Sequence, residues 1–331
     1  MGFDKPQDLT WAQAKPKLTC DELVAYMRAK QVRFDLCDEA EAARYLTEET
    51  FYAQLSPLSY LFDRMPDGSF VDLDFASLAD LVELDRALRR VALDASLDVE
   101  AQLKVELMAE LTARDDEDGF SVVDDYWLSL GAGARRSLKN DLDTHASRNT
   151  IEGSPWLAKE YLDHLLERYE LDMPLWKFLQ LSFFATTIQL YRFCGVRWGK
   201  PEMCARISVL NDVKAIRNSC AHGNNLLDAI GSRDAHEPDA LVVAALGDAG
   251  LRREEWQPWL SNRRMRELTS LFWAMGHWGL MEGPEGAARI ASWDALWERV
   301  ADHADLYEGG KLVRGSLAFL ERAQRALSWR G

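Results

Sequence analysis

Residues that break helices are scarce in this chain. Among 331 residues there are 10 prolines and 20 glycines. So few breakers exclude a collagen-like or low-complexity chain and leave long stretches in which a helix can run on. Cysteine is sparse too: the 5 cysteines stand at 20, 37, 194, 204 and 220. Their number is odd and no pair has Cys-x-x-Cys spacing, which excludes a zinc ribbon and a thioredoxin-like redox site. Positive charge is in deficit, 39 Lys+Arg against 54 Asp+Glu, for a formal net charge of -15. A protein that coats nucleic acid non-specifically needs a positive field, so that class is excluded, although a local basic cleft on an acidic body is not. There is no long apolar run. The nearest, 178–193, is interrupted by Gln180, Gln189 and Arg192, and it predicts a buried helix rather than a membrane span. The first residues, MGFDKPQDLTWAQAKP, contain no apolar signal segment. Pro6 and Gln7 stand where a myristoylation motif would want Ser or Thr. The expectation is a cytoplasmic protein with reduced thiols and no membrane partner.

Familiar chemical motifs are missing as well. Gly309-Gly310-Lys311 lacks the upstream glycine and the following Ser/Thr of a phosphate-binding loop. There is no His-Glu-x-x-His and no Gly-x-Ser-x-Gly. The six histidines, at 145, 164, 222, 236, 277 and 303, form no close pair, so no zinc site and no other cofactor are expected. The acidic run Asp115-Asp116-Glu117-Asp118-Gly119 lacks EF-hand spacing and predicts a solvated turn.

What the chain does have is apolar periodicity. Its 47% hydrophobic and 28% charged residues are the balance of a folded protein. Length alone allows roughly two domains of about 150 residues or one large helical unit. Thr19 followed by Glu22 is a capping box that predicts the first helix. A second is expected over 38–46 with Ala40, Ala43 and Leu46 on one face, and Thr47 is expected to cap a short third. Residues 70–75 alternate weakly, as a short strand would. Residues 75–113 predict one long helix, or two with a kink at 94–96. Residues 120–153 look irregular and polar. Helices are expected again over 157–169, 175–193, 202–221, 264–279 and 312–328. The loop near 226–240 is the best candidate boundary, giving 15–228 and a C-terminal helical extension, 229–331, able to pack on the same core. The predicted class is all-α.

One stretch carries chemistry: Arg217-Asn218-Ser219-Cys220-Ala221-His222-Gly223. It continues a helix whose apolar side is Ile207, Leu210, Val213 and Ile216. Asn218 and His222 are four apart and share a face, and Arg217 can reach round the same edge. A guanidinium, an amide and an imidazole are the groups that phosphodiester cleavage needs. A base takes the 2′-hydroxyl proton, an acid protonates the 5′-oxygen, and a cation stabilises the phosphorane. The same residues also suit a plain helix end, with histidine on the negative pole of the dipole and Gly223 stopping the helix. Cys220 reads as a small buried apolar residue.

The chain resembles the Abi-like (abortive infection, AbiD/AbiF type) family of bacterial anti-phage proteins, whose members carry a HEPN-type Arg-x-x-x-x-His motif. The resemblance runs over about 15–228. It begins at Lys15-Pro16-Lys17-Leu18-Thr19 and includes Phe51-Tyr52-Ala53-Gln54-Leu55-Ser56, like the family's Tyr-Tyr-Arg-Leu-Ser segment. It continues through Leu84-Asp85-Arg86-Ala87-Leu88-Arg89, like its Phe-Asp-x-x-Leu-Arg helix, and through Val99-Glu100 with Lys104. Pro174-Leu175-Trp176 and Leu181-Ser182-Phe183 follow, and Arg217 to His222 is the closest match. Gln180 replaces an expected Glu, Phe184 an expected Gly, and Gly223-Asn224-Asn225-Leu226-Leu227 departs from the family's continuation.

The resemblance implies a HEPN-like helical bundle and a metal-independent endoribonuclease of phage defence. Arg217, Asn218 and His222 would be catalytic, with Glu100 orienting Arg217 or His222, or merely pairing with Lys104. Such sites are commonly shared across a homodimer. Arg192, Arg197, Trp198, Lys200, Arg206 and Lys214 precede the motif and are candidates for RNA contact, Trp198 by stacking on a base. Arg263, Arg264 and Arg266 follow later. Trp256, Trp259, Trp273 and Trp278 read as core of the C-terminal helices. The rival expectation is a non-catalytic HEPN protein that binds RNA, a guide RNA, or a toxin or antitoxin partner.

Overall fold

The Thr19 hydroxyl accepts from the Glu22 N–H at 3.2 Å, and the Glu22 carboxylate accepts from the Thr19 N–H at 2.7 Å. This reciprocal cap opens α1 (Cys20–Ala29). The structure, a computed structural model, describes residues 17–50, 52–148, 173–228, 230 and 236–329. Among the described residues the chain is all-α, with fifteen α-helices, two 3-10 turns and no strand. None of the described helices is long and apolar enough to cross a membrane.

The chain forms two compact units, each built from three segments. The first comprises Met1–Leu88, Asn224–Ser232 and Ala295–Ala318. In it, α2 (Glu39–Glu48) starts at a second capping box, Asp38 with Glu41. Its buried face is Ala42 and Leu46, whereas Ala40, expected inside, is exposed. Thr47 is not a cap. It lies inside α2 and its hydroxyl donates to the Ala43 carbonyl at 2.8 Å, so α3 (Tyr52–Leu58) begins later. The segment 70–75 is not a strand. It holds only the isolated bridges Arg33 to Asp74 and Arg64 to Phe70. Asp74 instead caps the next helix, accepting from the Ala76 N–H at 2.9 Å and from the Asp35 N–H at 2.9 Å.

That helix, α4 (Phe75–Thr112), is continuous through the residues where a kink was an option. Ser96, within those residues, is fully buried, and its hydroxyl donates to the Leu93 carbonyl at 2.8 Å, so it needs no break in the helix. In the first unit Leu78, Leu81, Leu84 and Leu88 of α4 are core. Asp85 accepts from the N–H groups of Leu226 and Leu227, both at 2.7 Å. Asp80 receives Arg299 and Tyr307 together with His303 Nδ1 at 2.7 Å.

The second unit comprises Arg89–Gly223, Arg233–Asp294 and Phe319–Gly331. In it α4 buries Ala92, Ala95, Val99, Leu103, Leu107 and Leu111. Residues 121–148 are regular, contrary to expectation: α5 (Ser121–Ser129) and α6 (Ala132–Arg148) occupy them. Asp118 starts α5 by accepting from the Phe120 and Ser121 N–H groups, both at 2.8 Å. α6 reads as polar because Leu138 and Leu142 are its buried residues among those described. The helix expected over 175–193 is two, α7 (Leu175–Leu181) and α8 (Phe184–Arg197). Ser182 and Phe183 are extended between them, with ψ 136° and 156°. The helix expected over 202–221 is also two, α9 (Pro201–Ala205) and α10 (Ile207–Ala221).

Beyond the loop come α11 (Ala240–Asp248), α12 (Arg253–Leu260), α13 (Arg263–His277), α14 (Gly283–Asp302) and α15 (Lys311–Ser328). α11, α12 and α14 are additional to the helices the sequence periodicity predicts. The helix expected over 157–169 lies outside the described residues. α10 packs on α13, burying Val209, Leu210, Val213, Ile216 and Cys220 against a side that carries Met265, Leu268, Leu271, Phe272 and Met275. α13 also lies against the end of α15. A Cβ on Gly276 would stand 1.9 Å from the Leu327 carbonyl oxygen, so only glycine allows that approach.

Candidate functional site

α10 ends where the sequence motif does. The His222 N–H donates to the Asn218 carbonyl at 3.0 Å, and His222 is the C-cap, with φ -90°. Gly223 follows at φ +70°, the left-handed geometry that stops a helix cheaply only at glycine. The buried side of α10 turns Asn218 and His222 outward, and both are exposed.

Arg217 stands at the edge of that outward strip, with its side chain about one-third exposed (32%). Its Nη1 donates to Asn218 Oδ1 at 3.2 Å. On α4, Glu100 Oε2 lies 4.0 Å from Arg217 Nε, while Glu100 Oε1 pairs with Lys104 Nζ at 3.2 Å. A separation of 4.0 Å is attraction without a hydrogen bond. Arg217 Nε and Glu100 Oε2 have no hydrogen-bond partner among the described residues, although both atoms are buried. Glu100 therefore steers the guanidinium without saturating it. Glu100 both neighbours Arg217 and pairs with Lys104, so the two readings of it are compatible.

Two further arginines touch the motif; the sequence offers Arg264 only as one of the basic residues compatible with an RNA path and gives Arg89 no such role. Arg89 of α4, itself buried, donates from Nη1 to the Gly223 carbonyl, just past His222. A cation there suits the negative end of the α10 dipole. The available signal was the Asp85 to Arg89 pattern, five residues with both polar groups on one helix face. Arg264 of α13 donates from Nη1 to Ser219 Oγ at 3.1 Å and to Glu267 Oε2 at 2.6 Å.

The basic residues preceding the motif are mostly tied down. Arg197 Nε and Nη2 grip the two Glu117 oxygens at 2.6 and 3.1 Å, and its Nη1 reaches Asp125. Trp198 is buried, donates from Nε1 to Glu117 Oε1 at 2.6 Å, and has the Arg114 guanidinium 5.1 Å over its ring. Burial pushes the Glu117 carboxyl up, but hydrogen bonds from Arg197 and Trp198 and the Arg197 charge more than offset it, so it titrates below its ordinary value. Lys200 pairs with Glu110 at 3.0 Å. Arg206 pairs with Glu106 Oε1 at 2.7 Å; the same oxygen accepts from Tyr191 at 2.8 Å, and Oε2 accepts from Trp278 at 3.0 Å. Lys214 donates to Asn211 at 2.8 Å, and Arg192 is exposed on α8. Arg197, Trp198, Lys200 and Arg206 are thus each held by a carboxylate from outside their own helix. Of the tryptophans read as core, Trp256 is buried and Trp259 stacks on Phe319 at 6.1 Å between centroids. Among the described residues, no cluster of three or more His, Cys, Asp or Glu could hold a metal ion.

The site is thus the C-terminal end of one helix in an all-α protein, with an exposed amide and imidazole and an arginine steered from α4. The Abi-like protein family model matches residues 44–228, more than half of the chain, and the chain belongs to that family. The matched span contains α4, Glu100, Lys104 and the whole of Arg217 to His222. No curated protein and no solved structure gives a match.

Proposed function

We propose that this chain is an abortive-infection protein of bacterial phage defence, of the AbiD/AbiF type, and that it is a metal-independent endoribonuclease with a HEPN site. The observation that carries the reading is the exposed Asn218–His222 strip ending α10, flanked by an arginine whose Nε, with Glu100 Oε2 beside it, has no hydrogen-bond partner among the described residues. A phosphate oxygen is the ligand such a guanidinium takes most readily. Family membership supports the abortive-infection role.

The chemistry follows from these groups. The 2′-oxygen of the substrate attacks the adjacent phosphorus, and its proton passes to a neutral imidazole. The bond to the 5′-oxygen breaks, and that oxygen takes a proton from an imidazolium. The products are a 2′,3′-cyclic phosphate and a free 5′-hydroxyl. Arg217 neutralises the phosphorane, and Asn218 holds Arg217 or a phosphate oxygen. Histidine suits both proton transfers because its ordinary pKa, about 6.5, lies near neutrality. One imidazole can take the first proton and return it to the 5′-oxygen, and in the homodimer common to HEPN sites two copies of His222 facing one phosphate would divide these roles. The partners are RNA, a second copy of the chain and, for control, an antitoxin.

The test is RNA cleavage in EDTA by wild type and His222→Ala, with the product ends identified. Cleavage by wild type alone, leaving cyclic-phosphate ends, is expected. Equal cleavage by His222→Ala contradicts the assignment. Tight RNA binding with no turnover points instead to a non-catalytic HEPN protein that holds RNA or a partner.

A further inference from the structure

One cation, Arg217, flanks the Asn218–His222 strip, and a second approaches from the opposite flank. At about 100° per residue, with Arg217 at 0°, Asn218 falls near 100°, His222 near 140° and Ser219 near 200°. Arg217 and Ser219 therefore bracket the arc that carries Asn218 and His222. α4 borders the Arg217 side through Glu100. α13 borders the other side: Ser270 donates to Asp212 at 2.8 Å, and Arg264 donates to Ser219 at 3.1 Å.

Arg264 is built to keep donors in reserve. Among the described residues its two hydrogen bonds, to Ser219 and Glu267, both use Nη1, one nitrogen of a group that carries five N–H donors. Its side chain is 20% exposed, so a ligand can reach it. Glu267, only 3% exposed, also receives Arg263 at 2.8 Å. One carboxylate thus faces two guanidinium groups, and the charge of Arg264 is not needed to neutralise it. The Glu267 contact also fixes the Arg264 side chain in place, so little rotamer freedom remains to be lost on binding a phosphate.

We propose that Arg264 is a second phosphodiester-binding residue. It contacts a backbone phosphate of RNA lying across the Asn218–His222 strip, from the side opposite Arg217. This rests on the ribonuclease reading and extends it to a residue outside the span matched by the family, giving the C-terminal third of the chain a part in substrate binding.

The experiment measures binding of a single-stranded RNA made uncleavable by 2′-O-methylation, by fluorescence anisotropy over a range of salt. Unmodified RNA is used in parallel to follow cleavage. Arg264→Gln is expected to weaken binding about 10-fold and to reduce the salt slope by about 0.7, the loss of one single-strand phosphate contact. KM should rise more than kcat falls. Arg264→Lys keeps the pair with Glu267 and covers misfolding of the Gln variant. It should keep the wild-type slope and still lose affinity several-fold, because a point charge replaces a planar fork. Unchanged affinity and slope in a folded Arg264 variant, with wild type still cutting RNA, overturns this inference and leaves the ribonuclease reading standing. Wild type that neither binds nor cuts RNA overturns both, and that result appears before any variant is tested.

Discussion

The two ends of α10 present the same chemical pair in different states. At the N-terminal end Arg206 meets Glu106 of α4 at 2.7 Å, and at the C-terminal end Arg217 meets Glu100 of the same helix at 4.0 Å. The first pair is closed. Tyr191 and Trp278 saturate Glu106, Tyr191 also accepts from Arg206 at 2.7 Å, and the Arg206 side chain is 15% exposed. The second is open, with Arg217 Nε and Glu100 Oε2 lacking hydrogen bonds among the described residues and the arginine side chain about one-third exposed. A carboxylate–guanidinium pair in hydrogen-bond contact, with both carboxylate oxygens accepting, holds helices together. One held short of contact keeps its capacity for a ligand. Counting positive residues along the chain does not separate the two; asking where each guanidinium hydrogen bond goes does.

The sharpest way to break this comparison is at the open end. His222→Ala should lower the cleavage rate about 1,000-fold, the usual size of a general acid–base contribution, with the melting temperature unchanged because the ring is exposed. Loss of folding in that variant would place His222 in the structural set. Next comes the closed end. Glu106→Ala removes the acceptor for Tyr191, Arg206 and Trp278 at once. It should cost about 3 kcal/mol in denaturant unfolding, and Glu106→Gln less than half of that.

A smaller effect is expected at Arg197. Arg197→Ala leaves Glu117, whose side chain is 5% exposed, with Trp198 as its remaining side-chain donor among the contacts described above. Stability should fall by about 2 kcal/mol at pH 7. The Glu117 carboxyl titrates low in the folded protein, so its contribution is full above the unfolded-state pKa and fades as pH falls through the folded value. The variant should accordingly show a flatter acid limb. RNA affinity at fixed salt should barely change, since this guanidinium is already committed.

The smallest effect concerns Asp212, one helical turn before Ile216. Burial raises its carboxyl to about 6, although the Ser270 hydroxyl partly offsets this. The folded state therefore holds a proton that the unfolded chain releases near pH 4, and stability falls as pH rises from about 4 to about 6. Asp212→Asn should remove that fall and be more stable than wild type at pH 7.5, as read by thermal unfolding at several pH values.

How far these features were legible in the sequence depends on the range of the interaction that decides them. Local chemistry was readable: the Thr19–Glu22 box, the stop at Gly223, and the apolar period of α4. The Arg217 to His222 motif was readable because its parts lie within two helical turns. The break at Ser182 was not, since Leu181-Ser182-Phe183-Phe184 carries no proline or glycine and only the extended backbone of Ser182 and Phe183 reveals it. α6 escaped because a helix that buries little loses its apolar stripe. Trp198 read as a stacking platform beside basic residues, yet its indole is consumed by Glu117, 81 residues away. The approach of Arg264 to Ser219 spans 45 residues and has no sequence signature.

The central claim, that one arginine of α10 is structural and the other chemical, is tested most directly by two variants measured side by side. Arg206→Ala and Arg217→Ala should each be assayed for unfolding free energy and for RNA cleavage in EDTA on the same preparations. Arg206→Ala should lose about 3 kcal/mol of stability and, while folded, cut at near the wild-type rate. Arg217→Ala should keep its stability within about 0.5 kcal/mol and cut at least 100-fold more slowly. The reverse pattern, or equal loss of stability and activity in both, would contradict the account.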